Sequence, residues 1–315
     1  MRDLKIVFMG TPHFAVAILQ ALVEHNYNIV GVITAPDKPA GRGRKLQQSA
    51  VKEYALSKGL HIMQPTNLKD PDFIAELTEL KCNLQIVVAF RMLPKVVWGI
   101  PEYGTFNLHA SLLPNYRGAA PINWAIINGE EKTGVTTFFI DEKIDTGEII
   151  LQEETEISAT ETAGELHDRL MELGAKTVLQ TVSLIAQGDA HPKKQTDDGD
   201  IKTAYKIFRE TCKIDWNKSI DDIYNLIRGL SPYPTAWTLL NNNGNEISIK
   251  IFDVSVKKEI HEIETGTIIS DKKEVKVAVR EGYIYLNEIQ LPGKRKMKIK
   301  DVLNGYEFDQ DAKMR

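Results

Sequence analysis

Asn107 and His109 are the residues whose types and spacing most clearly suggest chemistry. They occupy alternate positions where a short apolar run ends, just before Ser-Leu-Leu-Pro-Asn-Tyr-Arg-Gly. If that run is a β-strand, its period of two directs both side chains to the same side of the sheet. A carboxamide can donate to a developing oxyanion while an imidazole moves a proton. Taken alone, however, an Asn-x-His pair at a strand end is typical of turn chemistry, so a structural role stays open.

Asp145 is the third candidate, in an Ile-Asp-Thr-Gly segment that follows a β-rich run. An Asp in such a loop ordinarily forms a turn. If the fold brings it to His109, its carboxylate can hold the orientation of the imidazole. Asn107, His109 and Asp145 could then support attack of an amine on an acyl group. Asn107 would donate to the tetrahedral oxyanion while His109 moves the proton.

Other chemistries have less support. No His-Glu-x-x-His motif or Cys/His cluster is present, so we expect no metal site. Ser111 lacks the Gly-x-Ser-x-Gly setting of a hydrolase nucleophile and is better suited to holding its loop or contacting a ligand. Gly10 stands where a dinucleotide fingerprint needs three glycines, so a dinucleotide cofactor is poorly supported.

The elements that must position these residues differ between the two parts of the chain. Apolar strands alternating with amphipathic helices predict a doubly wound parallel sheet, with strands near 5–9, 29–34, 84–89 and 134–140. Residues 35–45 are so rich in Pro, Gly and charge that we expect an exposed loop there. Later in the chain, short strands separated by turn signals predict a small antiparallel barrel. We expect domains at 1–187 and 208–315, joined by a linker at 188–207.

Composition limits the class of protein. The 315 residues are 43% hydrophobic and 26% charged, which fits a globular protein of two domains. No apolar run approaches the ~20 residues of a membrane span, and no signal peptide precedes the first strand, so we expect a cytoplasmic protein. The net charge of -4 argues against a uniformly basic nucleic-acid-binding surface. Basic clusters at 38–45 and 294–300 could still bind RNA locally.

In combination, the motifs resemble the formyltransferases that use 10-formyltetrahydrofolate. The core of the resemblance is Asn107-x-His109-x-Ser-Leu-Leu-Pro, then Arg117-Gly-Ala-Ala-Pro-Ile, then Asp145-Thr-Gly. Gly10-Thr-Pro-x-Phe, Pro36-Asp-x-Pro-x-Gly-Arg-Gly and Pro292-Gly-Lys extend it over nearly the whole chain. These segments are similar to the branch that acts on methionyl-tRNA. The resemblance implies an α/β Rossmann-like catalytic domain followed by an OB-like, tRNA-binding barrel.

The resemblance also implies roles for individual residues. Its catalytic positions match Asn107, His109 and Asp145. Its folate contacts match Ser111, Leu112, Leu113 and Pro114, together with Phe90, Met92 and Leu93. Its tRNA-contact loop matches Arg42, beside which Arg44 and Lys45 add positive charge. Lys206, Lys294 and Lys296 could supply further phosphate contacts as positioning charges. One departure stands beside the expected folate pocket, where this chain has Phe90-Arg91 in place of the family's typical Tyr-Gly.

The activity that the resemblance implies is formyl transfer from 10-formyltetrahydrofolate to the α-amino group of methionyl initiator tRNA, by a monomer. A formyltransferase acting on a small amine, such as a glycinamide ribonucleotide or an aminosugar nucleotide, is the nearest alternative. The Arg42 loop and the barrel argue against that alternative. A noncatalytic RNA-binding module is a further alternative, and the intact set of Asn107, His109 and Asp145 argues against it.

Overall fold

The computed structural model describes residues 1–40, 45–196 and 199–315, and the chain forms two compact units. The first unit comprises residues 1–118, 133–155 and 167–203. The second comprises 119–132, 156–166 and 204–315. Each unit therefore draws on several separate segments of the chain. The domain boundaries expected at 187/188 and 207/208 stay a prediction.

The first two-thirds of the chain alternates strands and helices. The strands are β1 (Lys5–Gly10), β2 (Asn28–Ile33), β3 (Lys38–Ala40), β4 (Lys45–Gln47), β5 (Ile62–Met63), β6 (Leu84–Val88), β7 (Thr105–His109), β8 (Arg117–Gly118), β9 (Lys132–Phe139) and β10 (Ile149–Glu156). The helices are α1 (His13–Glu24), α2 (Ala50–Ser57), α3 (Pro71–Glu79), α4 (Lys95–Trp98), α5 (Pro121–Ile127) and α6 (Ala163–Gln187).

The sheet of the first unit has the order β10-β9-β7-β6-β1-β2-β5. The five strands from β7 to β5 run parallel, which confirms the predicted doubly wound arrangement. β9 instead pairs antiparallel with β7, placing Thr136 opposite His109, so the parallel prediction is wrong at this edge. The β-branched and aromatic residues of β9 favour a strand in either direction, and antiparallel edges on parallel sheets are common.

The carboxyl ends of β1 and β6 mark the point where the strand order reverses. Ligands of open α/β sheets bind in the crevice that such a reversal creates. Gly10 ends β1, and a Cβ there would lie 2.6 Å from the Ala15 Cβ, so glycine lets α1 approach the strand closely. Ala89 follows β6 with φ +48°, a backbone region that non-glycine residues rarely adopt and that clusters at functional sites.

The described residues on either side of 41–44 are more regular than their composition predicts. β3 and β4 pair antiparallel, with Pro39 opposite Leu46, so the expectation of an irregular loop is wrong for both short strands. A two-stranded ribbon tolerates proline because an edge strand leaves one side of its backbone unpaired. Asp37, just before β3, forms a 2.7 Å ion pair with Lys52 of α2. The ion pair therefore connects the segment before β3 with the helix that follows β4.

The last third of the chain, which supplies most of the second unit, forms a barrel, two helices and a 3-10 turn. Its elements are β11 (Thr203–Ala204), the 3-10 turn Glu210–Cys212, α7 (Ile220–Leu230), β12 (Ala236–Asn242), β13 (Asn245–Lys258), β14 (Ile268–Ser270), β15 (Val275–Val279), β16 (Gly282–Gln290), β17 (Met297–Lys298), α8 (Ile299–Leu303) and β18 (Lys313–Met314).

The barrel closes through its last strand. The sheet order is β14-β15-β16-β13-β12-β18, and the pairs along it are antiparallel. Thr267, just before β14, bridges to Lys313 of β18. The amide of Met314 donates to the Gly266 carbonyl at 2.8 Å, which completes the circuit of strands. The predicted antiparallel barrel is confirmed, whereas the short strands β17 and β18 were not predicted from the sequence.

Helix α7 packs its apolar side into the core of this unit. Its buried residues include Ile220, Ile223 and Ile227, a helical spacing that places them on one face of the helix. Ser219 caps the helix by accepting from the Asp222 amide at 3.1 Å. Among the residues that the structure describes, no helix is long and apolar enough to cross a membrane.

Candidate active site

Strand β7 places Asn107 and His109 on one face of the sheet, because the two residues alternate along it. Asn107 lies between Val87 of β6 and Phe138 of β9 and is partly exposed. Within the described part of the chain, its carboxamide has no hydrogen-bond partner. A partly exposed amide without a partner, at the carboxyl end of a parallel strand, is free to donate to a bound ligand.

The imidazole of His109 is held between two loops. It is buried, with 6% of its surface exposed. Its Nε2 lies 2.8 Å from the Tyr116 carbonyl oxygen, which can only accept, so Nε2 donates in this ring orientation. Its Nδ1 lies 3.9 Å from Asp145 Oδ2, beyond hydrogen-bond range.

Asp145 lies in a loop that constrains its backbone and its carboxylate. Its φ of +55° is in the left-handed region, where an Asp needs support from its surroundings. Its Oδ2 accepts from the Gly118 amide at 2.9 Å. Within the same loop, Asp141 accepts from the Lys143 amide at 3.0 Å and from the Thr146 hydroxyl. The fold therefore brings Asp145 to His109, while the catalytic roles of these residues stay a prediction.

The segment 111–114, a predicted folate contact, is fixed by hydrogen bonds to its own loop and to β9 and β10. The Ser111 hydroxyl donates to the Asn115 carbonyl at 2.7 Å, so it holds the loop. Thr136 donates to the Ser111 carbonyl at 2.6 Å, and Gln152 donates to the Leu113 carbonyl at 2.7 Å. The segment is thereby a rigid wall beside His109, and its contact with folate stays a prediction.

The second predicted folate segment follows β6. Leu93 is buried in the core of the first unit, whereas Met92 is 71% exposed. Arg91 turns toward the segment after β5, where its guanidinium donates to the Pro65 carbonyl and, at 3.0 Å, to the Thr66 carbonyl. Its guanidinium carbon lies 5.6 Å from the centre of the Phe90 ring. Partial burial lowers the pKa of Arg91 from its ordinary value.

The predicted tRNA contacts differ in how they are held. Arg42 and Arg44 lie outside the described residues, and Lys45 begins β4. Lys206 Nζ lies 5.4 Å from the centre of the Phe208 ring. Lys296 Nζ forms a 2.7 Å ion pair with Glu288, whereas Lys294 is exposed. All six assignments stay predictions.

The described part of the chain shows no set of side chains suited to bind a metal ion. None of its groups of three or more His, Cys, Asp or Glu residues is arranged to hold a metal ion.

Three groups in the site were not singled out from the sequence. They are the Tyr116 carbonyl on His109, the Gly118 amide on Asp145, and Gln195. Gln195 donates to the Asp145 and Gly147 carbonyls at 2.9 and 2.8 Å and accepts from Arg117 at 2.7 Å. The Tyr116 carbonyl and the Gly118 amide are backbone groups, so the identity of a residue does not reveal their role. Gln195 lies 50 residues from Asp145, so no local pattern could have found it.

Comparisons with known proteins agree with this architecture. The Formyl transferase family pattern matches residues 4–182, and that of the Formyl transferase C-terminal domain matches residues 206–307. The methionyl-tRNA formyltransferase of Flavobacterium johnsoniae is 61% identical, with 100% of both chains covered. That of Bacteroides thetaiotaomicron is 52% identical, covering 99% of this chain and 98% of the relative.

Solved structures share the fold at lower identity. The sugar 3N-formyl transferase WlaRD matches with a TM-score of 0.66 at 23% identity, covering 94% of this chain and 100% of that one. An N-formyltransferase of Helicobacter canadensis, solved in complex with folinic acid and dTDP-3-aminofucose, has a TM-score of 0.65 at 20% identity and covers 93% and 100%. With both family patterns matched and full-length relatives above half identity, this chain belongs to the methionyl-tRNA formyltransferase family.

Proposed function

We propose that this chain transfers the formyl group of 10-formyltetrahydrofolate to the α-amino group of methionine carried by initiator tRNA. The observation that supports the proposal most directly is that the fold places the three predicted catalytic side chains in one region of the first unit. Asn107 and His109 share one face of β7, and Asp145 Oδ2 lies 3.9 Å from His109 Nδ1. Such a set can stabilise an oxyanion and move a proton, which is what transfer of an acyl group to an amine requires.

The reaction forms one C–N bond and breaks another. The amine attacks the formyl carbon and the carbonyl oxygen becomes an oxyanion, to which Asn107 donates from Nδ2 and which the positive charge of His109 stabilises once the ring is protonated. The amine nitrogen loses a proton to His109 or to a water held by Asp145. The bond from the formyl carbon to N10 then breaks as N10 takes up the proton that the amine nitrogen lost, and tetrahydrofolate leaves with N10 as a neutral N–H group.

The donor site that we propose lies at the carboxyl ends of β6 and β7. The segment 111–114 forms one wall, and Phe90, Met92 and Leu93 form the other. The positive φ of Ala89 supports a ligand site at this point, because strained residues persist where function requires them. The folinic acid bound by the Helicobacter canadensis protein of the same fold is consistent with a folate donor.

The acceptor is proposed from the relatives and from the second unit. The two relatives described above are named for methionyl-tRNA, and both match over essentially the whole of this chain, barrel included. Exposed lysines such as Lys206 and Lys294 supply charge for phosphate contacts. We propose that the protein acts as a monomer in the cytoplasm, where translation is initiated.

A formylation assay tests the proposal directly. Purified protein is given 10-formyltetrahydrofolate with methionyl initiator tRNA, uncharged initiator tRNA, glycinamide ribonucleotide or an aminosugar nucleotide. We expect formylmethionyl-tRNA alone. Formylation of a small amine but not of the tRNA would move the chain to the small-amine alternative. Binding of the tRNA without formyl transfer would instead support a noncatalytic RNA-binding module.

The catalytic assignments have their own variants. Asn107→Ala, His109→Ala and Asp145→Ala should each reduce kcat far more than the affinity for folate, by about 10²–10³-fold for the oxyanion donor Asn107. Arg42→Ala should impair formylation of the tRNA while the affinity for folate stays nearly constant. Near-normal turnover in all three of the first variants would refute the proposed site.

A further inference from the structure

Gln195 is the feature of the candidate site that the proposed chemistry leaves unused. It lies in the segment 191–196 of the first unit, which runs beside the site. The backbone of Lys193 pairs with that of Ile149 by two hydrogen bonds of 2.8 Å. Farther along, the Lys202 amide donates to the Asn115 side chain at 3.1 Å. Gln195 is therefore held from both sides against the loops that carry the site.

Both the nitrogen and the oxygen of the Gln195 carboxamide form hydrogen bonds. Its Nε2 donates to the carbonyl oxygens of Asp145 and Gly147, at 2.9 and 2.8 Å. Its Oε1 accepts from Arg117 Nε at 3.1 Å and from Arg117 Nη2 at 2.7 Å. One partly buried side chain thus ties the loop 141–147 to the loop 110–118.

These contacts complete a circuit of hydrogen bonds and covalent bonds that passes through the backbone and the carboxylate of Asp145. Arg117 is followed by Gly118, whose amide donates to Asp145 Oδ2 at 2.9 Å. Arg117 is preceded by Tyr116, whose carbonyl accepts from His109. The loop 110–118 therefore contacts both His109 and Asp145, and Gln195 ties that loop to the loop 141–147, which carries Asp145. The left-handed backbone of Asp145 makes this support necessary, because strained residues persist only where their surroundings hold them.

We infer that Gln195 is a positioning residue that fixes the Asp145 carboxylate relative to His109 for formyl transfer. The inference rests on the proposed function for its kinetic consequence. A catalytic group displaced by about 1 Å can lose about 100-fold in rate. Removing the hydrogen bonds of Gln195 should therefore reduce kcat while leaving both substrate-binding surfaces in place.

Two substitutions distinguish the role of the carboxamide nitrogen as a donor from that of its oxygen as an acceptor. Gln195→Met has a similar shape and removes the donor and the acceptor. Gln195→Glu keeps an acceptor for Arg117 but faces two carbonyl oxygens with a carboxylate oxygen. We expect both variants to lower kcat by about 10–100-fold, with the KM for folate and for tRNA each within about 2-fold of wild type. Full activity of Gln195→Glu would mean that Gln195 serves Arg117 alone, which would overturn the inference.

A double-mutant cycle distinguishes positioning of Asp145 from a general structural role. If Gln195 acts through the Asp145 carboxylate, Gln195→Met should lower kcat by less than about 3-fold in an Asp145→Asn background. The carboxylate that Gln195 positions is already absent from that background. An equal loss in both backgrounds would overturn the inference. Gln187→Met is the matched control, since Gln187 is exposed at the end of α6 and bonds Ser183 at 3.1 Å. It should leave kcat unchanged.

Amide hydrogen exchange tests the geometry without any catalysis. The Gly118 amide is protected by its bond to Asp145, so Gln195→Met should speed its exchange, while Gln187→Met should not. Unchanged protection in Gln195→Met would overturn the positioning role even in an active enzyme. If wild-type protein formylates no tRNA, the proposed function fails, and the exchange result still decides whether Gln195 holds the loop.

Discussion

At the scale of single residues, the candidate site combines one unpartnered donor with two tightly held groups. His109 and Asp145 each have a fixed hydrogen-bond partner, whereas the Asn107 carboxamide has none among the described residues. Fixed groups lose little entropy when a ligand binds, and an unpartnered donor loses no internal hydrogen bond when it turns to an oxyanion. Asn107 should therefore matter to turnover and very little to folding.

Asn107→Asp tests this division. The substitution preserves size but replaces the N–H donor by a carboxylate oxygen, which repels an oxyanion. We expect kcat to fall by about 10²–10³-fold and the thermal midpoint to stay within about 2 °C of wild type. Steady-state formylation and differential scanning calorimetry measure the two quantities. A large drop in thermal midpoint would instead identify Asn107 as a structural residue.

At the scale of elements, the loop 141–147 depends on a glycine that no side chain can replace. A Cβ on Gly147 would lie 1.6 Å from the Phe139 carbonyl oxygen, so the backbone must move to accept it. Gly147→Ala should destabilise the protein by about 3 kcal/mol and reduce kcat, because Asp145 lies on the same loop.

Gly59→Ala is the control for this loop. Gly59 has φ +64° and open space around its Cβ position, so alanine there should cost about 1 kcal/mol and leave kcat unchanged. Chemical denaturation and formylation kinetics measured on both variants check the pair. Equal effects of the two substitutions on kcat would remove the link between the Gly147 turn and the site.

Closure of the barrel gives a second prediction at this scale. A Cβ on Gly266 would lie 2.5 Å from the Met314 carbonyl oxygen, where β18 completes the circuit of strands. Gly266→Ala should therefore be more destabilising than Gly244→Ala, which has φ +73° but open space. We expect losses of about 3 and about 1 kcal/mol in denaturant unfolding. Similar losses would show that backbone strain, and not the contact with β18, decides the cost.

The elements visible in the sequence are those whose residues follow a local period. The buried runs of β1 and β6 were predicted nearly to the residue, and the spacing of Asn107 and His109 predicted their common face. What the sequence could not show depends on contacts between distant segments. Three such contacts are the antiparallel pairing of β9, the closure of the barrel by β18 and the hydrogen bond from Gln195 to Asp145. Each joins residues far apart in the chain, and the sequence around those residues does not indicate the contact.

At the scale of the whole molecule, an overall acidic protein is proposed to bind a polyanion. With a net charge of -4, attraction to tRNA must come from local groups of cations. The value of each cation depends on whether it already has a counter-ion. Lys296 is paired with Glu288 at 2.7 Å, whereas Lys294 is exposed and has no ion pair within the described part of the chain.

Salt dependence of tRNA binding measures this difference. Each lysine that contacts a phosphate releases about one counter-ion, so it adds about 0.9 to the slope of log affinity against log salt. Lys294→Ala should lower that slope by about one. Lys296→Ala should lower it by less than half as much, because Glu288 already neutralises the ammonium. Affinity for 10-formyltetrahydrofolate should change little in either variant. Equal slopes for both variants would show that Glu288 releases Lys296 when the RNA binds.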